Sequence, residues 1–443
     1  MRQTCYDGPT IKRKWHFFVI FLPELGEMMI HWFEVSNFAS FGDESTRIDF
    51  VPGKVVDDYT VFTSPSGARL SKFCSIFGPN AGGKTNLIRV LGQTANFIAN
   101  SFRNAEDDST PFVSNFFSDS ENVSISIQFE LAHFTAETAI QWNIEEPSIV
   151  YRYELVATSK HVVSEVLRRK TSHLFSRVFE RQLIDEDYQY SGVPERLVKE
   201  IPGNISLISW LARQEIRFAS QMRSYFSIMA GAYGSGYERM PGFMRAHRSI
   251  DIFKKSPDYL KKAIELLRAW DFGLDDMQIR RRTYMIEGKE EEYYTVDVTH
   301  RNGDREFQLD LFSESSGTIE LFAHLGPIFE ALSAGGVAII DEIDEALHVN
   351  MIEAILDLFM REETNPKNAQ LIFTSHSPWL MNLLNKWQVV LVEKRNGYSA
   401  AWRLSDMEGV HSRDNLSARY LAGAYGAVPR DFRFGNHNHD EVH

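Results

Sequence analysis

The run Gly78-Pro79-Asn80-Ala81-Gly82-Gly83-Lys84-Thr85 constrains the fold of this 443-residue chain more than any other feature. It matches G-x-x-x-x-G-K-[ST], and it stands between a strand-like stretch, Phe73–Phe77, and a helical pattern, Thr85-Asn86-Leu87-Ile88-Arg89-Val90-Leu91. That strand-to-helix context is the one the motif demands. Glycines let successive backbone N–H groups converge on phosphate oxygens, and the helix N-terminus adds a favourable dipole. Lys84 is expected to hold the β and γ phosphates of ATP, and Thr85 to ligate Mg2+. Gly78 through Thr85, with Asn86 just beyond, make up the expected nucleotide cradle. From average composition, a chance match in a chain of this length is on the order of one or two per cent.

The rest of the chain supplies the sheet that such a loop needs. In the last third, apolar strands (Val337–Ile340, Gln370–Thr374, Val389–Glu393) alternate with helices (Thr318–Leu332, Met351–Arg361), the order of a parallel α/β sheet. Nearer the start, Ile30–Val35 and Arg47–Val51 read as strands. The alternating runs Val123–Leu131 and Ile149–Leu155 read as neighbouring antiparallel strands, after a polar loop over 104–121. From about residue 161 to 270 the period reads as helical, as in Leu207–Phe226 and Tyr259–Trp270, broken at Pro202-Gly203, Gly231–Gly236 and Pro241-Gly242. Strands resume near Arg282–Ile286 and Tyr293–Thr299, with a turn at Gly303. The expected class is therefore α/β, a mixed sheet with an antiparallel subsheet, interrupted by a helical insertion. The expected layout is an N-terminal extension (1–28), two halves of one lobe (29–177 and 275–432), a helical insertion (178–274) and a polar tail (433–443).

Further motifs complete a nucleotide chemistry. Gly335-Gly336-Val337-Ala338-Ile339-Ile340-Asp341-Glu342 is a buried-type strand ending in two carboxylates. Asp341 is expected to bind Mg2+, and Glu342 to orient or deprotonate the attacking water. Glu314-Ser315-Ser316-Gly317-Thr318 lies at a strand-to-helix junction, where a hydroxyl and a helix N-terminus make a second phosphate cradle. By itself that segment is an ordinary helix cap. Asp344-Glu345-Ala346-Leu347-His348 follows the carboxylate pair, and Phe373-Thr374-Ser375-His376-Ser377-Pro378 puts His376 at the end of the next strand, within reach of a γ-phosphate.

The order of phosphate loop, Ser-Gly signature, Asp-Glu strand, Asp-containing loop and strand-end His resembles the ABC-type P-loop ATPases, and within them the SMC/RecF-like branch. With the opening Asn37-Phe38-Ala39-Ser40-Phe41 and the closing Tyr420-Leu421-Ala422-Gly423-Ala424-Tyr425-Gly426-Ala427-Val428-Pro429, it resembles the prokaryotic OLD-related AAA/ABC group, the RloA/AriA-like anti-phage defence ATPases. The resemblance covers about residues 29–177 and 275–432. It implies a cytoplasmic ATPase, a homodimer or higher homo-oligomer sandwiching Mg-ATP. Ser315, Ser316, Gly317 and Thr318 would act on the partner's nucleotide, Lys84, Glu342 and His376 would carry catalysis, and Asn37 would join the nucleotide contacts. It further implies an antiviral switch controlling an effector, a nuclease of TOPRIM type. Because the chain ends soon after Pro429, that effector is expected on a separate polypeptide. The competing expectation is a DNA-binding repair or recombination ATPase of RecF/SMC type. Two departures stand against simple transfer. The glutamine that joins the metal site in such enzymes has no clear position, with Gln93 and Gln128 as candidates, and residues 178–274 are too short and broken for coiled-coil arms.

Composition narrows the class without naming a function. Hydrophobic residues at 43% and charged residues at 24% exclude a disordered or collagen-like chain. Cys5 and Cys74 cannot build a disulfide framework or a C-x-x-C zinc site, which fits a reducing cytoplasm. The net charge of −13 argues against a nucleic-acid-coated protein. A local contact stays open at Lys254-Lys255, Lys261-Lys262, Arg268 and Arg280-Arg281-Arg282, which reads either as a solvated face or as a DNA or partner surface. The basic and apolar run from Lys12 to Leu22 is too short for a membrane span and lacks a secretory cleavage site, so no membrane partner is expected. Either translation naturally starts at Met28 or Met29, or residues 1–27 are a genuine amphipathic extension. The terminal Asn436–His443 reads as a polar tail rather than a metal site.

Overall fold

The computed structural model describes residues 27–52, 59–104, 109–132, 148–229, 242–270, 273–286, 289–411 and 413–428. The start-site question, Cys5, the Gly231–Gly236 break and the 433–443 tail lie outside the described residues. The chain runs through β1 (Glu27–Ser36), β2 (Thr46–Asp49), a hairpin of β3 (Val61–Thr63) and β4 (Arg69–Ser71), then β5 (Phe73–Phe77) and α1 (Lys84–Asn100). A meander follows, of β6 (Val123–Ala132), β7 (Ser148–Ala157), β8 (Val162–Thr171), β9 (Leu174–Ile184) and β10 (Asp187–Ser191). Four helices come next, α2 (Leu207–Arg213), α3 (Arg217–Met229), α4 (Gly242–Lys255) and α5 (Pro257–Ala269). A ribbon of β11 (Asp276–Ile286), β12 (Lys289–Asn302) and β13 (Arg305–Asp310) leads into α6 (Ser316–Ala334). The chain then alternates β14 (Val337–Ile340), α7 (Val349–Met360), β15 (Gln370–Thr374), β16 (Val389–Arg395), β17 (Tyr398–Arg403) and α8 (Leu416–Leu421).

The expected mixed α/β fold is present. A five-stranded sheet has the order β14-β15-β5-β16-β17, with every pair parallel except the last. A seven-stranded antiparallel sheet has the order β10-β9-β8-β7-β6-β1-β2. The parallel strands are apolar on both sides, and their side chains alternate between two cores. Cys74, Ile76, Val337, Ile339, Ile372 and Val390 join the core shared with the antiparallel sheet, α1, α2 and α3. Phe73, Phe77, Ala338, Ile340, Leu371 and Phe373 join the core shared with α4 to α7. Covering both faces is what a parallel sheet requires, and it explains the uninterrupted apolar runs.

The helical reading from residue 161 is corrected. Residues up to Ser191 continue the meander as β8, β9 and β10, and regular helix begins only at Leu207. The boundary at 178 falls inside β9. Two inward-facing charges break the alternation that would have revealed these strands. Glu165 and Arg181 are cross-strand partners and both are fully buried. Glu165 accepts from Tyr153 Oη (3.0 Å), Ser206 Oγ (2.7 Å) and Leu207 N (2.8 Å), which anchors the start of α2 on the meander. Arg181 donates to the Ile205 carbonyl at 2.6 Å. The helices expected as one compact insertion also part company. The apolar faces of α2 and α3 enter the first core, beside α1, whereas those of α4 and α5 enter the second, beside α6.

One side chain staples the two sheets. Gln370, fully buried at the start of β15, accepts from Ile30 N (2.7 Å) and donates to Ile30 O (3.2 Å) and Ser71 O (2.9 Å). Replacing it with Leu strands buried backbone groups, each worth roughly 1 kcal/mol or more. Gln370→Leu is expected to lower stability by about 2–4 kcal/mol, read as a shift of the urea midpoint at unchanged slope.

Candidate nucleotide-binding site

The site forms where β5, β14 and β15 end side by side, the edge at which open parallel sheets hold ligands. The loop from β5 turns on two glycines. At Gly78 (φ +152°) an added Cβ would stand 2.0 Å from the Val392 carbonyl oxygen, and at Gly83 (φ +115°) it would stand 2.4 Å from Ser399 Oγ. Gly83 caps α1 with no side-chain hydrogen bond, and the first turn carries no acidic residue. The leading N–H groups of a 17-residue helix are thus free of a competing carboxylate and fit an anion. Lys84 is buried, and its Nζ donates to Gly78 O (2.9 Å) and Pro79 O (3.1 Å). Burial lowers its pKa, against the opposing pull of Asp341, Glu342 and Asp344. Burial also pushes the Cys74 thiol up to about 12, so this side chain is protonated packing.

The carboxylates are set by one hydroxyl. Thr374 Oγ1, at the end of β15, donates to Asp341 Oδ1 at 2.6 Å and accepts from Glu342 N–H at 2.7 Å. Thr85 Oγ1 lies 3.5 Å from the same Asp341 oxygen, which brings the two expected Mg2+ ligands together. Glu342 has φ +54°, a conformation costing a non-glycine residue about 1–3 kcal/mol. His376 stands between the expected catalytic groups, with Nδ1 3.3 Å from Lys84 Nζ and Nε2 3.4 Å from Glu342 Oε1. Its backbone N–H donates to Asp344 Oδ2 at 3.0 Å, tying the strand-end His to the Asp-containing loop. Among the described residues no group of three or more His, Cys, Asp and Glu forms a metal cage, and Mg2+ commonly binds through one or two protein ligands with phosphate and water.

The Ser-Gly segment opens α6. Ser315 is the cap, and its Oγ accepts from Thr318 N–H (3.1 Å) beside Thr318 Oγ1 (2.8 Å). Ser316 is exposed, and Gly317 packs so closely under the next loop that a Cβ would meet Ala346 O at 2.9 Å. The hydrogen bonds of Ser315 and Thr318 thus close the cap of α6 on itself. Asn37 also stands apart. Its amide donates to Ser120 O (2.6 Å) and Asn122 O (2.9 Å) and its oxygen accepts from Asn115 N–H, so it shapes a neighbouring loop. Gln93 is buried within α1, and Gln128 lies on β6 accepting from Arg152, which leaves the metal-site glutamine unassigned.

Sequence reasoning missed the brace under the loop. Ser399 Oγ lies 2.8 Å from both Gly82 O and Ser40 Oγ, and Asn86 Nδ2 donates to Ser40 Oγ at 2.7 Å. Ser40 belongs to the Asn37–Phe41 motif, but Ser399 lies some 360 residues away with no local pattern to mark it. Thr374 was equally unmarked, although it precedes His376 by only two positions. In the basic stretch, Arg280 and Arg282 pair with Asp297, Arg281 with Glu292 and Lys254 with Asp251, while Lys261, Lys262 and Arg268 are exposed on α5. Among the described residues no helix is long and apolar enough to cross a membrane.

A family model described as "AAA domain, putative AbiEii toxin, Type IV TA system" matches residues 73–382. No curated protein matches the sequence. Among solved structures, an Smc head bound to the C-winged helix domain of ScpA is 14% identical, with a TM-score of 0.44 over 85% of this chain and 99% of that one. An Smc head with a coiled coil and joint from Pyrococcus yayanosii is 11% identical, with a TM-score of 0.43 over 90% and 99%. The recombination mediator RecF-ATPrS of the RecFOR pathway is 12% identical, with a TM-score of 0.38 over 86% and 100%.

Thr374→Val keeps the shape of the side chain but removes the donor to Asp341 and the acceptor for Glu342 N–H. The expected outcome is a loss of about 1–3 kcal/mol in stability. The Mg2+-dependent part of the melting-temperature rise on adding ATP should shrink with it, read by comparing ATP with and without EDTA.

Proposed function

The chain belongs to the AAA-domain family whose model spans residues 73–382, and from that membership we propose that it is an ABC-type ATPase whose subunits close on Mg-ATP. One observation carries this reading. Lys84, Asp341, Glu342 and His376 meet at one end of the sheet although Lys84 and His376 are 292 residues apart, while Ser315 and Thr318 of the Ser-Gly segment bond each other and Ser316 is exposed. An incomplete site and an unused cradle on one chain are what a two-copy sandwich would unite.

In this reading the N–H groups of the loop and Lys84 bind the phosphates. Thr85 and Asp341 would hold Mg2+, which when bound neutralises charge on the phosphate oxygens. Glu342 takes the proton of the attacking water, and His376, placed between Glu342 and Lys84, faces the phosphate to be released. Ser315 is committed to capping α6, so Ser316 and Gly317 present the hydroxyl and N–H that a partner's nucleotide would receive. Each composite site exists only in the closed dimer, so nucleotide binding energy is coupled to assembly and hydrolysis to release.

The biological role we infer is an anti-phage switch whose ATP cycle restrains or frees a toxic, nuclease-like partner. Its support is the RloA/AriA-like motif order and the family's description as a putative toxin of a type IV toxin–antitoxin system. The repair alternative has less support. Arg280 and Arg282 share Asp297, Arg281 pairs with Glu292 and Lys254 with Asp251, so three carboxylates offset part of the charge of the densest basic stretch and weaken it as a phosphate surface.

Glu342→Gln is expected to lower kcat by about a hundredfold or more while ATP binding persists, and unchanged turnover would remove Glu342 from the general-base role. Lys84→Ala and Ser316→Arg should each be inactive alone. Mixing them should restore turnover, because a heterodimer rebuilds one intact composite site. Absence of recovery in a mixture shown to form heterodimers would sink the sandwich, and stimulation by DNA would restore the repair reading.

A further inference from the structure

The helix α4, in the segment that interrupts the ATPase lobe, is locked onto α6, the helix that begins at the Ser-Gly segment, by three unlike contacts. Pro327 lies inside α6 and has no N–H, so the Ala323 carbonyl four residues earlier loses its helical donor. Ser249 of α4, fully buried, replaces it, with Oγ donating to Ala323 O at 2.9 Å. Only glycine allows the approach, because a Cβ on Gly326 would stand 2.4 Å from Ser249 Oγ and 2.9 Å from its Cα. Arg248 Nη2 lies 3.3 Å from Glu330 Oε2 of α6, a buried pair. The third contact reaches past α6. Arg245 Nη2 lies 2.8 Å from Glu320 Oε2 on α6 and 3.4 Å from Glu345 Oε2 in the loop that follows Glu342.

That loop is short and already constrained. Glu345 N–H donates to Glu342 O at 2.9 Å, Asp344 holds the His376 backbone, and Ala346 O abuts Gly317. Arg245 therefore grips the turn whose first residue is the strained Glu342, from an element outside the sheet. We propose that Arg245 is a positioning residue for hydrolysis, fixing the Glu342–Ala346 turn to the signature helix so that any shift of α4 moves both together. The inference rests on the ATPase reading above and adds to it a route by which a load on α4 sets turnover.

Glu345→Gln tests this at the solvent-facing end of the contact, where the side chain is 44% exposed and folding is not at stake. Arg245→Gln tests the other end. Both are expected to lower kcat by about tenfold with KM and ATP affinity within about twofold. The double variant should be no worse than the poorer single one, because both remove the same contact. A purely structural Arg245 would instead lower the melting temperature without this split between kcat and KM. Wild-type turnover in Glu345→Gln, or losses that multiply in the double variant, would overturn the proposal while leaving the ATPase reading intact. If Arg245→Gln fails to fold, Glu345→Gln alone decides. A wild-type protein that binds ATP but never hydrolyses it would remove the ATPase reading and this inference with it.

Discussion

Strand β5 is hydrogen-bonded along both edges, by β15 and β16, and its side chains enter a core on each face. The loop that leaves it at Gly78 therefore starts from a backbone that cannot shift without breaking either ladder or either core. A multiply charged phosphate needs donors fixed in advance, since donors that must be ordered on binding lose much of their advantage to entropy. Everything else at the site refers to this fixed origin. Gly78 lies under the Val392 carbonyl, Gly83 against Ser399, and Lys84 is held by carbonyls of its own loop.

The carboxylate side of the site has a different physical character. Asp341 and Glu342 come from an edge strand, β14, and depend on Thr374 of the neighbouring strand for their placement. Glu342 holds a strained backbone and reaches His376 only across 3.4 Å. The phosphate loop is thus set by the ladders of a central strand, and the carboxylate end by a few side-chain contacts. In the ATPase reading proposed above, that division would keep nucleotide binding secure while leaving the hydrolytic step adjustable. The contacts that could adjust it come from the far side of α6, through α4.

Much of the fold was legible because parallel strands buried on both faces write continuous apolar runs. Phe73–Phe77, Val337–Ile340 and Gln370–Thr374 occur at the limits expected of them. The phosphate loop was legible because its glycines answer a steric demand that no other residue meets. Strands β8 and β9 were not legible, since Glu165 and Arg181 stand where alternation predicts apolar residues. The Ser40–Ser399 brace and the Gln370 staple were invisible for another reason, as their partners lie about 300 residues away or more and leave no period behind. Asn37 shows the opposite hazard. It belongs to a recognisable motif, yet its amide serves the loop at 115–122 and its neighbour Ser40 reaches the nucleotide cradle.

The pairing of β5 also sets a timetable for synthesis. Its partners on either side are residues 371–374 and 389–391, about 300 residues downstream. Until those emerge from the ribosome, an apolar strand with two open edges must wait, a state prone to wrong pairing and a natural client for chaperones. A chain cut anywhere between α1 and β15 carries the complete phosphate-loop sequence but neither of the strands that flank β5, so such a fragment lacks the frame from which the loop takes its shape.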